Sequence, residues 1–310
     1  VKPVLIDPFG RALTRLRVSV TDRCNLNCVY CDREGVGTPS SEMTVEEVTR
    51  IVRLGARLGM TKVKVTGGEP LLRGDIVDII TAAADIPAVE EVSMVTNGVL
   101  LAGKAEALVK AGLRRVNVNL ATPFPETYKR VSGGGDLTPV LEGVKEAVRV
   151  GLNPVKLNMV MLKGFNAQAV PDMVEFCTQQ GTALQLIELH SVKDVVDPEF
   201  YERHHLSLDA VEAWLKAQAV NVNVRKDLHL RPRYTLKGGV EVEVVRFSDN
   251  CDFCAHCTRL RITCDGKIKP CLMRNDNLVD ILAPMREGID DEGLVKLFKN
   301  AVSLREPYQA

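Results

Sequence analysis

Eight of the nine cysteines in this chain fall into two groups near its two ends, spaced like ligands rather than like disulfide partners. Cys24, Cys28 and Cys31 follow the pattern C-x3-C-x2-C. A short loop at that spacing can turn three thiolates onto one small inorganic centre, and soft thiolates suit zinc or an iron–sulfur cluster. Three ligands are an incomplete set for either. A closed zinc site takes four, and an ordinary four-iron cluster is held by four cysteines. The open coordination position favours a reactive centre; half of a zinc site completed from elsewhere is the plainer alternative. The second group is Cys251, Cys254, Cys257, Cys264 and Cys271. Arg259–Cys264 alternates as a strand, Asp265-Gly266 is a hairpin turn, and Lys267–Cys271 returns towards Cys254 and Cys257. That is again a metal-site pattern, with a four-cysteine zinc ribbon as its alternative. Cys177 lies alone in an amphipathic helical stretch and reads as a small buried hydrophobe.

The composition bounds where such centres could work. The 310 residues carry 40 Lys and Arg against 40 Asp and Glu, so the overall charge points to no nucleic-acid partner, while a local basic pocket is compatible with it. No apolar run approaches the roughly 20 residues of a membrane span, and no signal-peptide pattern opens the chain. It starts at Val1 rather than Met, which reads as processing or trimming. Clustered cysteines without a signal peptide predict a cytoplasmic, oxygen-sensitive protein.

Between the two groups the chain alternates strands and helices. Strands are predicted at 15–21, 62–66, 91–96, 115–120, 155–160 and 183–189, with helices after 44 and at 76–84, 102–111, 140–150 and 170–179. The step of roughly 25–30 residues is that of a βαβ unit, so parallel pairing and active-site loops at the strand C-termini follow. Six units are too few to close an eight-stranded barrel. The expected fold is therefore α/β, a partial (β/α)6 barrel over residues 1–195, with a small, antiparallel-flavoured C-terminal domain over 196–310.

Polar features sit at the predicted strand ends. Gly67-Gly68-Glu69-Pro70 follows the second strand, where paired glycines allow close approach and Glu69 adds a charge; by itself it is also an ordinary turn. Thr96-Asn97-Gly98 follows the third strand, Asn119 and Ala121 end the fourth, and Lys163 follows the fifth, where a lysine can meet a phosphate. Gly133-Gly134-Gly135 reads as a flexible loop, and His204-His205 as surface residues. Alternation places Arg259 and Arg261 on one face of their strand, and arginine forks bind phosphate bidentately.

The motif C-x3-C-x-Tyr-C, with Tyr30 as its aromatic, resembles the radical S-adenosylmethionine (SAM) superfamily. The segments Gly10-Arg11 to Cys24, Gly67 to Arg73, and C-x2-C-x13-C with Thr-Arg-Leu-Arg and Asp-Gly-Lys resemble, over almost the full chain, its GTP 3′,8-cyclase family of molybdenum cofactor biosynthesis. The resemblance implies two [4Fe–4S] clusters, one on Cys24, Cys28 and Cys31 with SAM on the fourth iron, the other on Cys254, Cys257 and Cys271, leaving Cys251 and Cys264 as spare thiols. It implies SAM contacts at Tyr30, Gly67, Gly68, Glu69, Thr96, Asn119 and His190. GTP contacts are implied at Arg17, Lys62, Lys64, Lys163, Arg259 and Arg261, with Arg17, Arg259 and Arg261 catalytic. It further implies an electron donor, a downstream cyclic pyranopterin synthase, neither nucleic acid nor membrane as partner, and leaves a homodimer open. Departures from the family are Lys64 and Gln185 where arginines are expected, His190 for an apolar residue, Ala121, and an end at Arg305-Glu-Pro-Tyr-Gln-Ala without a Gly-Gly tail. They keep a related twin-cluster enzyme for another nucleotide or a peptide in play, alongside an electron-transfer or metal-sensing protein.

Overall fold

The computed structural model describes residues 4–35, 42–191, 197–226, 228–247 and 250–306. Six parallel strands form the frame: β1 (Arg15–Ser19), β2 (Lys62–Thr66), β3 (Glu91–Thr96), β4 (Leu113–Asn119), β5 (Val155–Met161) and β6 (Ala183–Glu188). They lie in sequence order. The connecting helices are α1 (Val45–Arg57), α2 (Ile76–Ala84), α3 (Ala105–Lys110), α4 (Pro125–Val131), α5 (Thr138–Arg149) and α6 (Val170–Gln180). α1 begins where expected because Thr44 and Glu47 form a reciprocal capping box, the Glu47 amide donating to the Thr44 hydroxyl at 3.3 Å and the Thr44 amide to the Glu47 carboxylate at 2.8 Å. α6 stops at Gly181, whose φ of 64° is a left-handed cap.

The remainder is α7 (Pro198–His204), α8 (Asp209–Gln218), β7 (Ala219–Arg225), β8 (Arg231–Leu236), β9 (Glu241–Val245), α9 (Cys251–Ala255), β10 (Arg259–Ile262), β11 (Lys267–Lys269), β12 (Val279–Asp280), α10 (Leu282–Arg286) and α11 (Asp291–Ser303). These strands do not make a separate antiparallel sheet. The order β12-β11-β10-β1-β2-β3-β4-β5-β6-β9-β8-β7 is one open sheet. β10 pairs parallel with β1 and β9 pairs parallel with β6, so the C-terminal third extends both edges of the frame. Only the outer pairs, β7–β8, β8–β9, β10–β11 and β11–β12, are antiparallel. An open parallel sheet leaves a row of unpaired backbone groups at each edge, and the later strands satisfy both. The expected boundary at residue 195 lies outside the described residues.

Strand alternation separates two faces. Leu16, Val18, Val63, Val65, Leu260 and Ile262 are at most 2% exposed and join one contiguous core with the helices. The residues between them face the other way and build the site.

Candidate active site

The face of the sheet opposite the helices lines a cavity of about 650 Å³. Twelve arginines and lysines line it against five aspartates and glutamates, although the chain as a whole is neutral. Register produces this. Arg15 stands between Arg259 and Lys62, and Arg17 between Arg261 and Lys64, on three adjacent parallel strands. Two rows of three cations therefore cross β10, β1 and β2. Like charges placed side by side on a sheet are destabilising, and such strain concentrates at functional sites. Burial first, then the charges of Arg115, Arg17, Arg259 and Lys156, push the Lys64 ammonium well below its ordinary range. Burial, Arg231 and Arg261 do the same to Arg259. From Lys64 a chain of side-chain amides runs across the sheet. Its Nζ donates to Asn117 Oδ1 at 2.9 Å, Asn117 Nδ2 to Asn158 Oδ1 at 3.0 Å, and Asn158 Nδ2 to Asn119 Oδ1 at 3.0 Å.

The first cysteine loop leaves β1 and is held by backbone. The Gly68 amide donates to Thr21 O and the Glu69 amide to Arg23 O, both at 2.8 Å. A Cβ on Gly67 would meet Thr21 O at 2.5 Å, and one on Gly68 would meet Arg23 O at 2.4 Å. The paired glycines are thus required by the cysteine loop itself. Glu69 is fully buried and does not reach the cavity wall, where the sequence had placed its charge. Its carboxylate accepts from Thr96 Oγ1 at 2.8 Å and from the amides of Leu71 at 2.9 Å and Asn97 at 2.6 Å, bracing β2 against β3. Burial raises its pKa and those three donors pull it back. The Gly133–Gly135 segment is likewise no loose loop. Ser132 O and Val131 O accept from the amides of Asn27 and Val29 at 3.1 and 3.0 Å, and a Cβ on Gly133 would meet Asn27 O at 2.2 Å. Tyr30 packs on the apolar cluster of Ala121, Val131, Leu162 and Leu189.

The three thiols fit a polynuclear group. Burial and the neighbouring thiols of Cys31 and Cys24 push Cys28 up to about 12, a proton that metal binding would release. Asn97 Nδ2 reaches both Asn25 Oδ1 at 2.7 Å and Cys24 Sγ at 3.9 Å. Asp32 accepts from His190 Nε2 at 2.9 Å. Burial alone would raise the Asp32 carboxyl, but the His190 hydrogen bond and the charges of His190, Arg261 and Arg17 hold it well below the usual range.

The second cysteine group is clamped by both ends of the chain. Arg11 Nη1 donates to Cys254 O at 3.1 Å, Arg305 Nη2 to Cys257 O at 3.1 Å and Arg305 Nη1 to Arg259 O at 2.6 Å. Both guanidiniums lie against the buried Asp7 carboxylate, at 2.5 and 3.0 Å. Against the burial that raises it, Arg305 and the Arg259 amide and side chain lower the Cys257 thiol, favouring the thiolate a cluster needs. Among the described residues no three His, Cys, Asp or Glu side chains converge on a single metal ion; a four-iron cluster takes one thiolate per iron around a larger centre.

Of the residues singled out in the sequence, the wall contains Arg17, Tyr30, Lys62, Lys64, Gly67, Gly68, Thr96, Asn97, Asn119, Ala121, Gln185, His190, Arg259, Arg261 and the first three cysteines; of the second cysteine group it contains Cys264 but not Cys254, Cys257 or Cys271. Lys163 is not in the wall either. It is exposed beyond β5, its amide bound to His204 O at 2.8 Å, so it adds no cation to the cavity. His204 and His205 are half-buried ties, the latter 3.1 Å from Glu188 Oε1. Sequence reasoning missed Glu34, Lys156, Arg115 and Arg231. Arg231 is 5% exposed, its Nε has no partner, and it lies 5.4 Å over the Phe253 ring. The turn presenting it holds His229 and Leu230 at φ 59° and 51°, conformations unfavourable for both. Its only sequence signal was alternation along β8. Arg231→Gln is expected to raise KM for an anionic substrate about tenfold, with the iron content unchanged.

Residues 18–177 match the radical SAM superfamily, the class that the three-cysteine loop at the end of β1 and the open six-unit sheet define. Residues 182–310 match the family described as Molybdenum Cofactor Synthesis C. The probable GTP 3′,8-cyclase of Thermococcus kodakarensis is 48% identical over 309 residues, 98% of this chain and 99% of that protein. Those of Methanothermobacter thermautotrophicus and Pyrococcus horikoshii are each 45% identical, over 97% and 98% of this chain and 98% of each protein. The chain belongs to the radical SAM superfamily and, within it, to the GTP 3′,8-cyclase family. Among solved structures, Streptococcus suis SuiB superposes with a TM-score of 0.63 at 15% identity, over 85% of this chain and 61% of SuiB. Native anSMEcpe with bound AdoMet and Kp18Cys peptide gives 0.60 at 16%, over 93% and 81%. At such identities the likeness is one of fold.

Proposed function

We propose that this chain is a radical SAM GTP 3′,8-cyclase, converting GTP to (8S)-3′,8-cyclo-7,8-dihydroguanosine 5′-triphosphate in molybdenum cofactor biosynthesis. The observation that carries the reading is the charge of the cavity wall, twelve basic side chains against five acidic ones. SAM, itself a cation, needs no such excess; a triphosphate does. A peptide substrate needs it even less, which sets the alternative reading second.

The enzyme uses SAM and two [4Fe–4S] clusters, which supply the one-electron chemistry. Cys24, Cys28 and Cys31 would hold the first and Cys254, Cys257 and Cys271 the second. The chain's own part is placement. Tyr30, Gly67, Gly68, Thr96, Asn119 and His190 flank the first cysteine loop and would seat SAM. Arg17, Lys62, Lys64, Arg259 and Arg261 would neutralise the triphosphate, with Arg17, Arg259 and Arg261 closest to the reacting nucleotide. Gln185, across from Asn158 and Glu243 in register, lines the cavity with a neutral amide where an arginine was expected. An electron donor, a downstream cyclic pyranopterin synthase and a cytoplasmic setting belong to the same proposal. Among the described residues no helix is long and apolar enough to cross a membrane.

Anaerobic incubation of the reconstituted protein with SAM, dithionite and GTP tests this by mass spectrometry. 5′-Deoxyadenosine together with an isomer of GTP is expected; 5′-deoxyadenosine with GTP unchanged would defeat the substrate assignment. A pH effect follows from Lys64. Its pKa is low in the free pocket, and a bound polyanion raises it, so binding takes up a proton and affinity falls as pH rises. Above about pH 8, where phosphate groups are fully ionised, calorimetry in two buffers of different ionisation enthalpy is expected to show this uptake, and Lys64→Met to reduce it, the remainder coming from Lys156 and Lys269, which burial also lowers in the same wall.

A further inference from the structure

The arginine pair at the centre of the cavity is already bridged by a carboxylate. Glu34 Oε2 accepts from Arg261 Nη1 at 2.8 Å, and Oε1 accepts from Arg17 Nη2 and from Thr66 Oγ1, the latter at 2.8 Å. Its side chain is 16% exposed. Two guanidiniums each donating to a different oxygen of one planar anion is the geometry in which arginines hold phosphate. Glu34 comes from a short turn three residues beyond Cys31, and it gets there at a cost in backbone conformation. Arg33 and Glu34 have φ of 46° and 55°, in the left-handed region, and neither is glycine. Strain of that kind persists where the surroundings impose it. Here the imposing force is electrostatic, because burial and Arg17 disfavour the charge on Arg261, and a bare guanidinium pair in this wall would be worse.

We propose that Glu34 is an internal stand-in for substrate phosphate. It occupies the position between Arg17 and Arg261 when no nucleotide is bound, and a phosphate group of the substrate displaces it. This rests on the reading that the cavity takes a polyphosphate. Two consequences follow. A ligand must outcompete a carboxylate already forked by two arginines, so Glu34 sets the anionic charge a ligand needs: a triphosphate displaces it and a monophosphate does so poorly. Displacement also moves the segment that carries Cys31 and Asp32, and Asp32 is bonded to His190 on the side proposed for SAM. Occupancy of the phosphate position is thereby transmitted to the cysteine loop.

The test uses the reconstituted full chain, with Glu34→Gln and Glu34→Ala as two independent variants. Binding of inorganic triphosphate, GTP and GMP is measured by calorimetry, and hydrogen exchange of peptides covering residues 24–35 is followed with and without inorganic triphosphate. Both variants are expected to bind triphosphate at least tenfold more tightly than the unaltered chain, and the preference for GTP over GMP is expected to shrink about tenfold. In the unaltered chain, triphosphate is expected to speed exchange in the 24–35 peptides. Equal or weaker binding by both variants, or unchanged exchange, would overturn the proposal and make Glu34 a fixed brace for the arginines. Tight triphosphate binding by the variants alongside no cyclisation of GTP by the unaltered chain would sink the cyclase reading while leaving this one standing.

Discussion

Cys28→Ser is expected to lower the iron of the reconstituted protein from about eight to about four per chain, one four-iron cluster's worth, and to reduce SAM cleavage below detection. Serine offers a hard oxygen where the cluster needs a soft thiolate. The glycine-packed loop around it cannot bring a substitute, because the other thiols near it, Cys24 and Cys31, are themselves proposed ligands. The companion substitutions separate the two sites. Cys257→Ser is expected to lose the same amount of iron yet still form 5′-deoxyadenosine, because the first site is intact, while the cyclised product disappears. Cys264→Ser is expected to change neither. Its thiol is 4% exposed and stands outside the proposed ligand set of Cys254, Cys257 and Cys271; burial pushes it up to about 12 as it does Cys28, so position and not acidity sets it apart. Equal iron loss from Cys257→Ser and Cys264→Ser would refute the ligand assignment.

Gly68→Ala is expected to destabilise the protein by about 3 kcal/mol and to empty the first cluster site without touching a ligand. The added methyl would stand 2.4 Å from Arg23 O and 2.5 Å from Asp22 O. These are backbone atoms, so no side-chain rotation relieves the clash. Overpacking typically costs about 1–3 kcal/mol, and moving the two segments apart breaks two backbone hydrogen bonds of about 1 kcal/mol each. The same movement shifts the start of the cysteine loop away from Asn97. Gly74→Ala is the control, since its Cβ would meet nothing within 4 Å. A melting temperature several degrees lower and loss of about four irons in Gly68→Ala alone would bear the argument out. Normal iron content in that variant would show that the glycines serve something other than the loop.

These expectations mark where the sequence was informative. The cysteine spacing, the β/α rhythm and the Thr44 cap are local, and local signals survive without the fold: α2 and β3 lie where periodicity put them. Alternation likewise assigned Arg259 and Arg261 to one face, because the side-chain period of a strand does not depend on its neighbours. The short elements escaped. α4 and α10 are only seven and five residues long, too short for a periodic pattern, and they are held by what they pack on.

By itself, then, the sequence determined the class of chemistry, through three thiols in a short loop, and the α/β frame that carries it. What only the tertiary structure decided is how distant segments share a site. Register between β10, β1 and β2, the first two paired across 244 positions of chain from Arg15 to Arg259, built the cation rows. The free edges of the parallel sheet drew in β9 and β10 from a region that alternation alone presented as a separate domain. The carboxylates went where buried donors were: Glu69 turned inward to brace two turns, and Glu34 turned into the cavity to bridge two arginines. Periodicity reports which face a residue takes, but the partner that satisfies a buried charge comes from elsewhere in the chain, and that is a property of the folded protein alone.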